Sequence, residues 1–490
     1  MNAIDRLIAY LAPGAALRRR AARAVLAHYE AGEPSRLRKF HRERGSQNEL
    51  VQRGAAAVRA QARHLARNHD IARGALRVMV NNIVGPKGVG VDPQPRRRDG
   101  TIHQEYARDL LEAWRDWKRR PEVTHRMPWT RMQRALAWSW LRDGEVFGQM
   151  ITGVRADLDH GSRVPFSIEA FEADWVPMDF NDDARGIVQG VERNAWGKPR
   201  AVHVLRQPAN RIGMPYTRNT VRIPWDRVLH IATLDHIGQV RGVSEFASII
   251  TRLEDIKDYE ESERVAAKIA AMLTAYVRKG SPDIYQPSET PAPPREIKLQ
   301  PGTIIDDLGV GEEIDLVDSK RPNPNLITFR QGQLRAVAAG LGASYSSVSR
   351  DYNGTYSAQR QELVEQWVHY ACLTDDMVGE LQQPVWEEFV RACHLSRVVP
   401  IPRDVVAGTE DDAMYIAAAM PWIDPVREAT AWKVLIETGL ASEIEAIRRR
   451  GQNPLDVLEQ MKQFRDRAEE LGVRFSASEL AADALDDDED

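Results

Sequence analysis

The longest regular pattern in this chain is a helical repeat of apolar and charged residues that follows Arg241. The stretch GVSEFASIITRLEDIKDYEESERVAAKIAAMLTAYV keeps this repeat for about nine turns. Ser244 is a favourable N-cap residue, and Glu245 and Glu254 place negative charge early in the helix. The sequence therefore predicts one long helix over residues 244–277, and the rest of the chain must be arranged around it.

A proline-rich segment separates this helix from a second one. The residues SPDIYQPSETPAPPREIKLQPG have the composition of a loop or an exposed subdomain. The stretch LITFRQGQLRAVAAGLG then has a helical repeat, which ends at Gly340 and Gly342. A polar loop, SRDYNGTYSAQRQ, comes next. A third long helix is predicted from about Ser357 to His394, with an interruption at Pro384.

The N-terminal half is predicted to combine helices with a mostly antiparallel β region. Residues 50–83, 103–118 and 129–142 have helical patterns, whereas short alternating runs fill the region from Glu145 to Ile231. Tryptophans at helical spacing are expected in the core, and they are Trp114, Trp117, Trp129, Trp138 and Trp140. The C-terminal part is again predicted to be helical, and the final DALDDDED is predicted to be a disordered acidic tail.

The charge of the chain is uneven along its length. The net charge is only −4 and 43% of the residues are hydrophobic, which fits a folded globular chain. The first hundred residues nevertheless carry about +12 and the last ninety about −11. This distribution suggests an assembly with differently charged ends, or an electrostatic partner at each end.

The chain has two cysteines, Cys372 and Cys393, which argues against a disulfide scaffold and fits a reducing cytoplasm. The N-terminus lacks the pattern of a signal peptide, because an arginine cluster follows its apolar stretch instead of preceding it. No run of about 18 apolar residues exists, so no transmembrane helix and no membrane partner are expected. An amphipathic membrane anchor over residues 3–29 is an alternative to a docked or disordered arm, and the arm is favoured.

No stretch of the sequence carries a specific catalytic motif. The glycines of VGPKGVG resemble a phosphate loop, but VDPQP follows them and cannot begin the helix that such a loop requires. Asp283, Glu296 and Lys298 have the spacing of a PD…ExK nuclease, in which two carboxylates hold Mg²⁺. The prolines between them disfavour the necessary hairpin. We predict that the chain is not an enzyme and uses neither a metal nor a cofactor, with such a nuclease as an alternative.

The predicted long helix carries two stripes of charge. Its acidic stripe consists of Glu254, Asp258 and Glu261, and its basic stripe consists of Lys257, Arg264 and Lys268. These residues can form pairs within a solvated helix, each worth a few tenths of a kcal/mol. They can equally meet the opposite stripe on a neighbouring copy in a head-to-tail contact, which closes into a ring if the rotation fits. Spacing alone does not separate these two interpretations.

Several short motifs, in a consistent order over roughly residues 60–460, resemble those of lambda-type bacteriophage portal proteins. The most specific is AVAAGLGASYSSVSRDYNGTYSAQR, in which Gly354-Thr355 stands where the family often has Thr-Asn. That departure concerns the detailed contacts of the loop. The other motifs, in chain order, are NNIVGPKGVG, DGEVFG, IPWDRVLHI, HIGQVRGVSEFA, QPGTIIDDLGVGEEI and PWIDPVREATAWKVLIETGL.

The resemblance implies an α+β portal fold with long stem helices, a mixed α/β wing, a small clip and a helical crown. Mapped onto this chain, it implies the following regions: a basic N-terminal arm (1–60), wing (61–243), stem helix (244–277), clip (278–322), stem helix (323–342), tunnel loop (343–360), long wing or tunnel helix (361–400), crown (401–475) and acidic tail (476–490). The loop residues expected to line the channel are Ser349, Arg350, Tyr352, Asn353, Thr355, Tyr356 and Arg360.

The resemblance also implies a function. Portal proteins of this type form a dodecameric ring at one capsid vertex, through which double-stranded DNA passes during packaging and ejection. The implied partners are the terminase large subunit, head-completion or connector proteins, and the major capsid or scaffold protein. The implied locations are the virion and, during assembly, the host cytoplasm. Weak contacts to the DNA backbone carry no base information, so no sequence specificity is expected. An adaptor ring that never meets DNA is a further alternative.

Overall fold

The structure is a computed structural model that describes residues 46–206, 219–271, 275–279, 312–316, 325–420 and 425–473. By its internal contacts the chain divides after Leu50. Residues 46–50 are the described part of the first unit, and the second unit is Val51–Asp490. The predicted boundary of the N-terminal arm at residue 60 falls inside the first described helix.

The described chain mixes long helices with short strands. Its helices, in chain order, are α1 (Gln47–Asn68), α2 (Asp70–Ile83), α3 (Gln104–Trp117), α4 (Trp129–Asp143), α5 (Ile250–Ala271), α6 (Leu326–Gly340), α7 (Tyr345–Ser349), α8 (Tyr356–Met377), α9 (Gln383–Leu395), α10 (Pro425–Glu437), α11 (Glu443–Arg449) and α12 (Pro454–Glu470). Short 3₁₀ turns cover Ala173–Trp175, Asp183–Arg185 and Trp225–Arg227, and a π-helical turn, Val378–Gln382, joins α8 to α9.

The described strands pair with one another in antiparallel fashion, and the sequence predicts a mostly antiparallel region between Glu145 and Ile231. They are β1 (Gly90–Pro93), β2 (Glu145–Thr152), β3 (Phe166–Glu172), β4 (Ile187–Val188), β5 (Val191–Arg193), β6 (Pro199–Leu205), β7 (Thr220–Pro224), β8 (Val228–Ala232), β9 (Ala275–Lys279), β10 (Glu312–Leu316) and β11 (Ala413–Ile416). One sheet has the order β3-β2-β8 and another β4-β5-β6-β7, while β1 pairs with β11 and β9 with β10. The coarse prediction of a mixed α+β chain is therefore confirmed.

Aromatic side chains from α3, α4, β3 and α9 form the centre of the main core. Trp114 and Trp117 stack at 4.6 Å, Trp117 stacks on Phe166 at 5.2 Å, and Trp114 meets Trp386 edge to face at 5.3 Å. Of the five tryptophans predicted for the core, four are buried and Trp138 is half-buried. Since large rings bury the most apolar surface per residue, this cluster fixes how the helices pack on the sheet.

The long helix is shorter than predicted at both ends. It begins at Ile250, because Ser244 does not cap it: Ser244 Oγ accepts from Phe246 N at 3.1 Å and donates to the carbonyl of Arg142 at 2.6 Å. The predicted N-cap is therefore wrong. At the other end, residues 275–277 belong to β9, which pairs with β10, so the described residues before and after the proline-rich segment lie side by side.

Two other long helical patterns are interrupted by tertiary contacts or by proline. The pattern over residues 50–83 divides at His69, whose buried ring bonds through Nε2 to the carbonyl of Leu253 at 2.9 Å. The predicted interruption near Pro384 is confirmed, because the π-helical turn ends directly before α9, which has this proline in its first turn. A proline there removes no necessary N–H bond.

Two glycines allow backbones to touch where α4, β2 and the segment before α5 meet. Gly144 has a φ of +91°, and a Cβ added to it would lie 2.3 Å from the carbonyl carbon of Val243. A Cβ on Gly242 would lie 2.0 Å from the carbonyl oxygen of Gly144. Both values are far inside van der Waals contact, so only glycine fits at either position.

We expect Gly144→Ala to destabilise the fold far more than Gly153→Ala. Gly153 has a similar φ of +95° with nothing within 4 Å of an added Cβ, so its replacement costs only the left-handed strain, about 1–2 kcal/mol. Gly144→Ala adds a backbone clash to the same strain, and its cost should be at least twice as large. Denaturant unfolding of both variants measures the difference, and equal losses would show that the close approach is unimportant.

Candidate functional site

A buried carboxylate, Glu145, lies where β2 meets the segment that leads into α5. Arg59 of α1 donates to its Oε1 at 3.0 Å, and Nε of Arg241 lies 2.9 Å from each of its oxygens. His230 of β8 and the N–H of Gly242 each bond to Oε2 at 3.1 Å. The carboxylate of Glu145 therefore connects α1, β2, β8 and the segment that leads into α5.

Arg241 is completely buried, and all of its donors are used. Its Nη1 donates to the carbonyl oxygens of Gln189 at 2.7 Å and Val176 at 3.1 Å, and Nη2 donates to that of Ala173 at 3.2 Å. The guanidinium also lies 5.3 Å from the centre of the Phe147 ring. The planar guanidinium group, with its five N–H donors, suits such a site, whereas a lysine side chain could make only part of these contacts.

The charge on Glu145 is kept by its neighbours. Burial by itself would raise the pKa of this carboxyl, but Arg241, His230 and Arg59 together hold the pKa well below its usual range. Glu145 is therefore ionised at neutral pH, and it forms buried ion pairs with two arginines.

A second layer of ion pairs extends this network toward the surface. Arg63 of α1 binds Asp143 at 2.7 Å and also binds Asp174, while Arg142 binds Glu172 at 2.9 Å. These contacts connect α1 to the end of α4 and to the turn after β3. The sequence motifs DGEVFG and GQVRG contain Asp143, Glu145 and Arg241, but their arginine partners on α1 belong to no motif and were missed.

Helices α5 and α6 form an antiparallel pair above this network. Arg252 donates to Gln333 at 2.6 Å, and Arg330 binds Glu260 at 2.5 Å, so increasing numbers on one helix face decreasing numbers on the other. The apolar residues that the pair buries include Leu253, Ile256, Leu334 and Val337. The two predicted stem helices are thus in contact.

All six residues of the two predicted charge stripes are exposed: Glu254, Lys257, Asp258, Glu261, Arg264 and Lys268. Within the described part of the chain, none of them forms an ion pair, and Lys257 only donates to the carbonyl of Asn68 at 3.4 Å. The interpretation of the stripes as intrahelical pairs therefore receives no support from the described contacts.

The arrangement of charge around α5 is more informative than the stripes alone. At about 100° per residue, the predicted acidic and basic stripes lie side by side, about 65° apart. Exposed Asp255 widens the acidic surface: together with Asp258 it is centred about 130° from the basic stripe. We call Lys257, Arg264 and Lys268 the basic flank and Asp255 and Asp258 the acidic flank. The sequence pattern identified Glu254 but not the adjacent Asp255, because Asp255 does not follow the spacing of the acidic stripe.

The polar loop between α7 and α8 is held from within. Tyr345 Oη donates to Asp351 at 3.1 Å, Asn353 N donates to Asp351 at 3.2 Å, and Asp351 N donates to Ser349 Oγ at 3.1 Å. Arg350 has a φ of +59°, a left-handed turn that ends α7. The loop is therefore a defined turn, and Asp351 is its central residue.

The predicted channel residues divide into two groups. Ser349 and Thr355 use their hydroxyls locally: Ser349 donates to the carbonyl of Tyr345 at 2.7 Å, and Thr355 caps α8 by accepting from Ala358 N at 3.4 Å. The other five predicted residues are exposed, and they are Arg350, Tyr352, Asn353, Tyr356 and Arg360. The residues Tyr352 and Tyr356 are 58% and 51% exposed, so the loop presents two tyrosines to its surroundings.

Several predictions concern residues outside this description. Asp283, Glu296 and Lys298, most of the basic arm, most of the clip and the acidic tail lie outside the described residues. Within the described residues, no group of three or more potential ligands is placed to hold a metal ion. The same residues contain no helix with the length and apolarity needed to span a bilayer. Cys372 is exposed and Cys393 is buried, and neither is in a disulfide.

Comparison with known proteins identifies the class to which this architecture belongs. The family model described as "Phage portal protein, lambda family" matches residues 33–373. That range includes the buried network, both long helices and the polar loop. Portal proteins are structural proteins of the bacteriophage particle and not enzymes.

The chain belongs to the lambda family of phage portal proteins. It is 24% identical over 451 residues to the probable portal protein of Halomonas phage phiHAP-1, a match that covers 88% of this chain and 84% of the relative. It is also 21% identical over 469 residues to portal protein B of Escherichia phage lambda, with 87% and 86% covered. The resemblance drawn from the motifs is therefore confirmed, and the nuclease alternative is not supported.

A similar solved structure is a chain in the neck of a native gene transfer agent particle, computed with C12 symmetry. The match has a TM-score of 0.42 and 12% identity, and it covers 88% of this chain and 99% of the other.

We expect Arg241→Ala to reduce the free energy of unfolding by about 3–5 kcal/mol, because Glu145 would remain buried after the loss of one of its two arginine partners. The matched control is Arg222→Ala, which breaks a more exposed pair with Glu192 and should cost less than about 1 kcal/mol. Denaturant unfolding measures both variants. Similar losses in the two would contradict a central role for the buried network.

Proposed function

We propose that copies of this chain assemble into a closed dodecameric ring at one vertex of a phage capsid, and that double-stranded DNA passes through its axial channel. Membership of the portal family carries this proposal. The exposed charges on α5, which lack ion-pair partners in the described chain, give it a physical basis. The ring would be part of the virion and would assemble in the host cytoplasm.

The ring contact is proposed to join the two flanks of α5 on adjacent copies. A head-to-tail contact requires two different and complementary surfaces on each copy. The basic and acidic flanks provide opposite charges about 130° apart around one helix, so each copy can face a neighbour on both sides. Glu254 and Glu261, the other members of the predicted acidic stripe, lie between the flanks and would add to the same contact.

The polar loop is proposed to line the channel at its narrow point. Tight pairing of many phosphates with Lys or Arg would release counterions and hold the DNA in place, which a conduit must avoid. The loop offers exposed tyrosines and an asparagine with only two arginines, Arg350 and Arg360. Such groups contact the DNA backbone weakly and read no sequence. Asp351 keeps the loop in one shape by internal hydrogen bonds.

The remaining regions follow from the same proposal. Helices α5 and α6 would be the stem, the β9–β10 pair would begin the clip, α10 to α12 would form the crown, and the helices and sheets before α5 would be the wing. The clip would contact the terminase large subunit during packaging and head-completion proteins afterwards, and the wing would contact the capsid or scaffold protein. These partners are proposed on the strength of the family.

A charge exchange across the stem tests the ring contact. We expect Arg264→Glu with Lys268→Glu to raise the concentration needed for ring formation at least about tenfold, because like charges would then face each other. Asp255→Lys with Asp258→Lys should have the same effect. The variant with all four changes should recover ring formation, and mass photometry measures the yield in each case.

The four-residue variant is the matched control, since it contains every substitution of the two impaired variants. Recovery supports direct pairing of the flanks. Ring yields that match the parent protein in all three variants would show that the flanks of α5 do not meet in the assembly. Impairment of the two double variants without recovery in the four-residue variant would place the contact elsewhere.

Variation of the exposed loop residues tests the DNA channel. We expect Tyr352→Ala with Asn353→Ala and Tyr356→Ala to leave the ring intact, because Asp351 and both helix caps remain. DNA retained in assembled particles should fall several-fold when measured by nuclease protection. Trp196→Ala, which removes an aromatic ring that is 94% exposed on a wing hairpin, is the control. Normal retention in the triple variant would favour an adaptor ring in which this loop does not meet DNA.

A further inference from the structure

An open groove lies between α5 and the beginning of α6. It has a volume of about 360 Å³, and its lining residues are Glu260, Glu263, Arg264, Ala267, Leu326 and Arg330. Its lining is mainly apolar, because Ala267, Leu326 and the methylene groups of the longer side chains contribute to it. The groove can therefore receive an apolar side chain.

The charges around the groove are not equally available to a partner. Glu260 binds Arg330, and Glu263 is buried. Arg264 is exposed and forms no ion pair within the described part of the chain. The groove therefore combines an apolar lining with an available cation, which favours an occupant that carries an apolar residue next to acidic ones.

Val265 lies on the opposite side of α5 from the groove. It is 51% exposed, and at about 100° per residue it is roughly 140° around the helix from the α5 residues that line the groove. Asp258 and Glu261 are exposed on the same side of α5 as Val265. Val265 is thus an exposed apolar side chain next to acidic ones, which are the features that the groove favours.

The groove and Val265 are at the same level of α5. Val265 belongs to the same two turns of this helix as Glu260 and Ala267, which line the groove. Rotation about a ring axis changes no height along that axis, so two surfaces that meet on adjacent copies must have the same height. Surfaces on opposite sides of the same two turns meet this requirement for any direction of the axis.

We propose that Val265 of one copy inserts into the groove between α5 and α6 of the adjacent copy. This inference rests on the proposed ring and supplies an apolar centre for its charged contact. The occupant is a second copy because Arg264 of the basic flank lines the groove and Val265 lies beside Asp258 of the acidic flank, and these flanks are the surfaces proposed to meet. A central apolar residue surrounded by charged ones is a common arrangement in strong interfaces.

Disulfide formation tests the identity of the occupant, because it requires two Cα atoms within about 7 Å of each other. In a Cys372→Ser background, which removes the exposed native thiol, Val265→Cys and Leu326→Cys are introduced singly and together. After mild oxidation of assembled rings, we expect the double variant to give a ladder of joined chains on a non-reducing gel. We expect each single variant to remain monomeric. Since Val265 faces away from the groove of its own chain, a ladder reports contact between copies.

The matched control combines Val265→Cys with Ile327→Cys. Ile327 is the residue after Leu326, is 68% exposed and does not line the groove. We expect no ladder from this pair, because its second thiol lies outside the groove. Equal ladders from both pairs would overturn the proposal, since they would reflect general proximity of the helices.

Other outcomes would also overturn the proposal. A dimer with Val265→Cys alone would show that this residue meets its own equivalent. Protection of Leu326→Cys from a maleimide in rings that give no ladder would show that another segment fills the groove. Rings that form normally without ladder or protection would overturn this inference and leave the proposed function intact. A parent protein that never forms rings would overturn both.

A single substitution supplies an independent readout. Val265→Asn should raise the concentration needed for ring formation at least about tenfold, because an amide would be buried in the groove without a partner. Ile327→Asn, which makes the same kind of change at an exposed residue outside the groove, should leave that concentration unchanged. Mass photometry measures both variants. Equal ring-forming concentrations in the two would contradict an apolar contact at Val265.

Discussion

The structure depends on the charge of one buried carboxylate. Glu145 stays ionised because Arg59, Arg241 and His230 surround it, and each of these residues comes from a different element. A buried ion pair is weak evidence for added stability, but the loss of one partner is costly. The network therefore fixes geometry: the segment that carries Arg241 leads directly into α5, so the direction of α5 is set relative to the sheet. The close contact at Gly144 tightens the same junction.

Because α5 is held in place, two distinct surfaces are available for the proposed contacts. The flanks of α5 present opposite charges to solvent, which suits identical neighbours, and the loop before α8 presents tyrosines and amides, which suits contact with a passing duplex without capture.

The sequence predicts the elements that depend on local pattern and misses those that depend on distant partners. The helices α3 and α4, the antiparallel strands and the interruption at Pro384 follow from periodicity and from proline chemistry. The break at His69 depends on a bond to Leu253, 184 residues away, and the late start of α5 depends on Ser244 contacting Arg142. At the site, Glu145 and Arg241 stand out in motifs, but Arg59 does not. Ser349 was assigned to the channel although its hydroxyl is used locally.

The central claim is that identical chains close around an open axis. Native mass spectrometry of the purified protein, combined with electron microscopy of the same sample, tests it most directly. We expect closed rings with a central hole and a mass of twelve chains of 55.4 kDa each. A protein that remains a single 55.4 kDa chain at every concentration, or that forms particles without an axial opening, would contradict it.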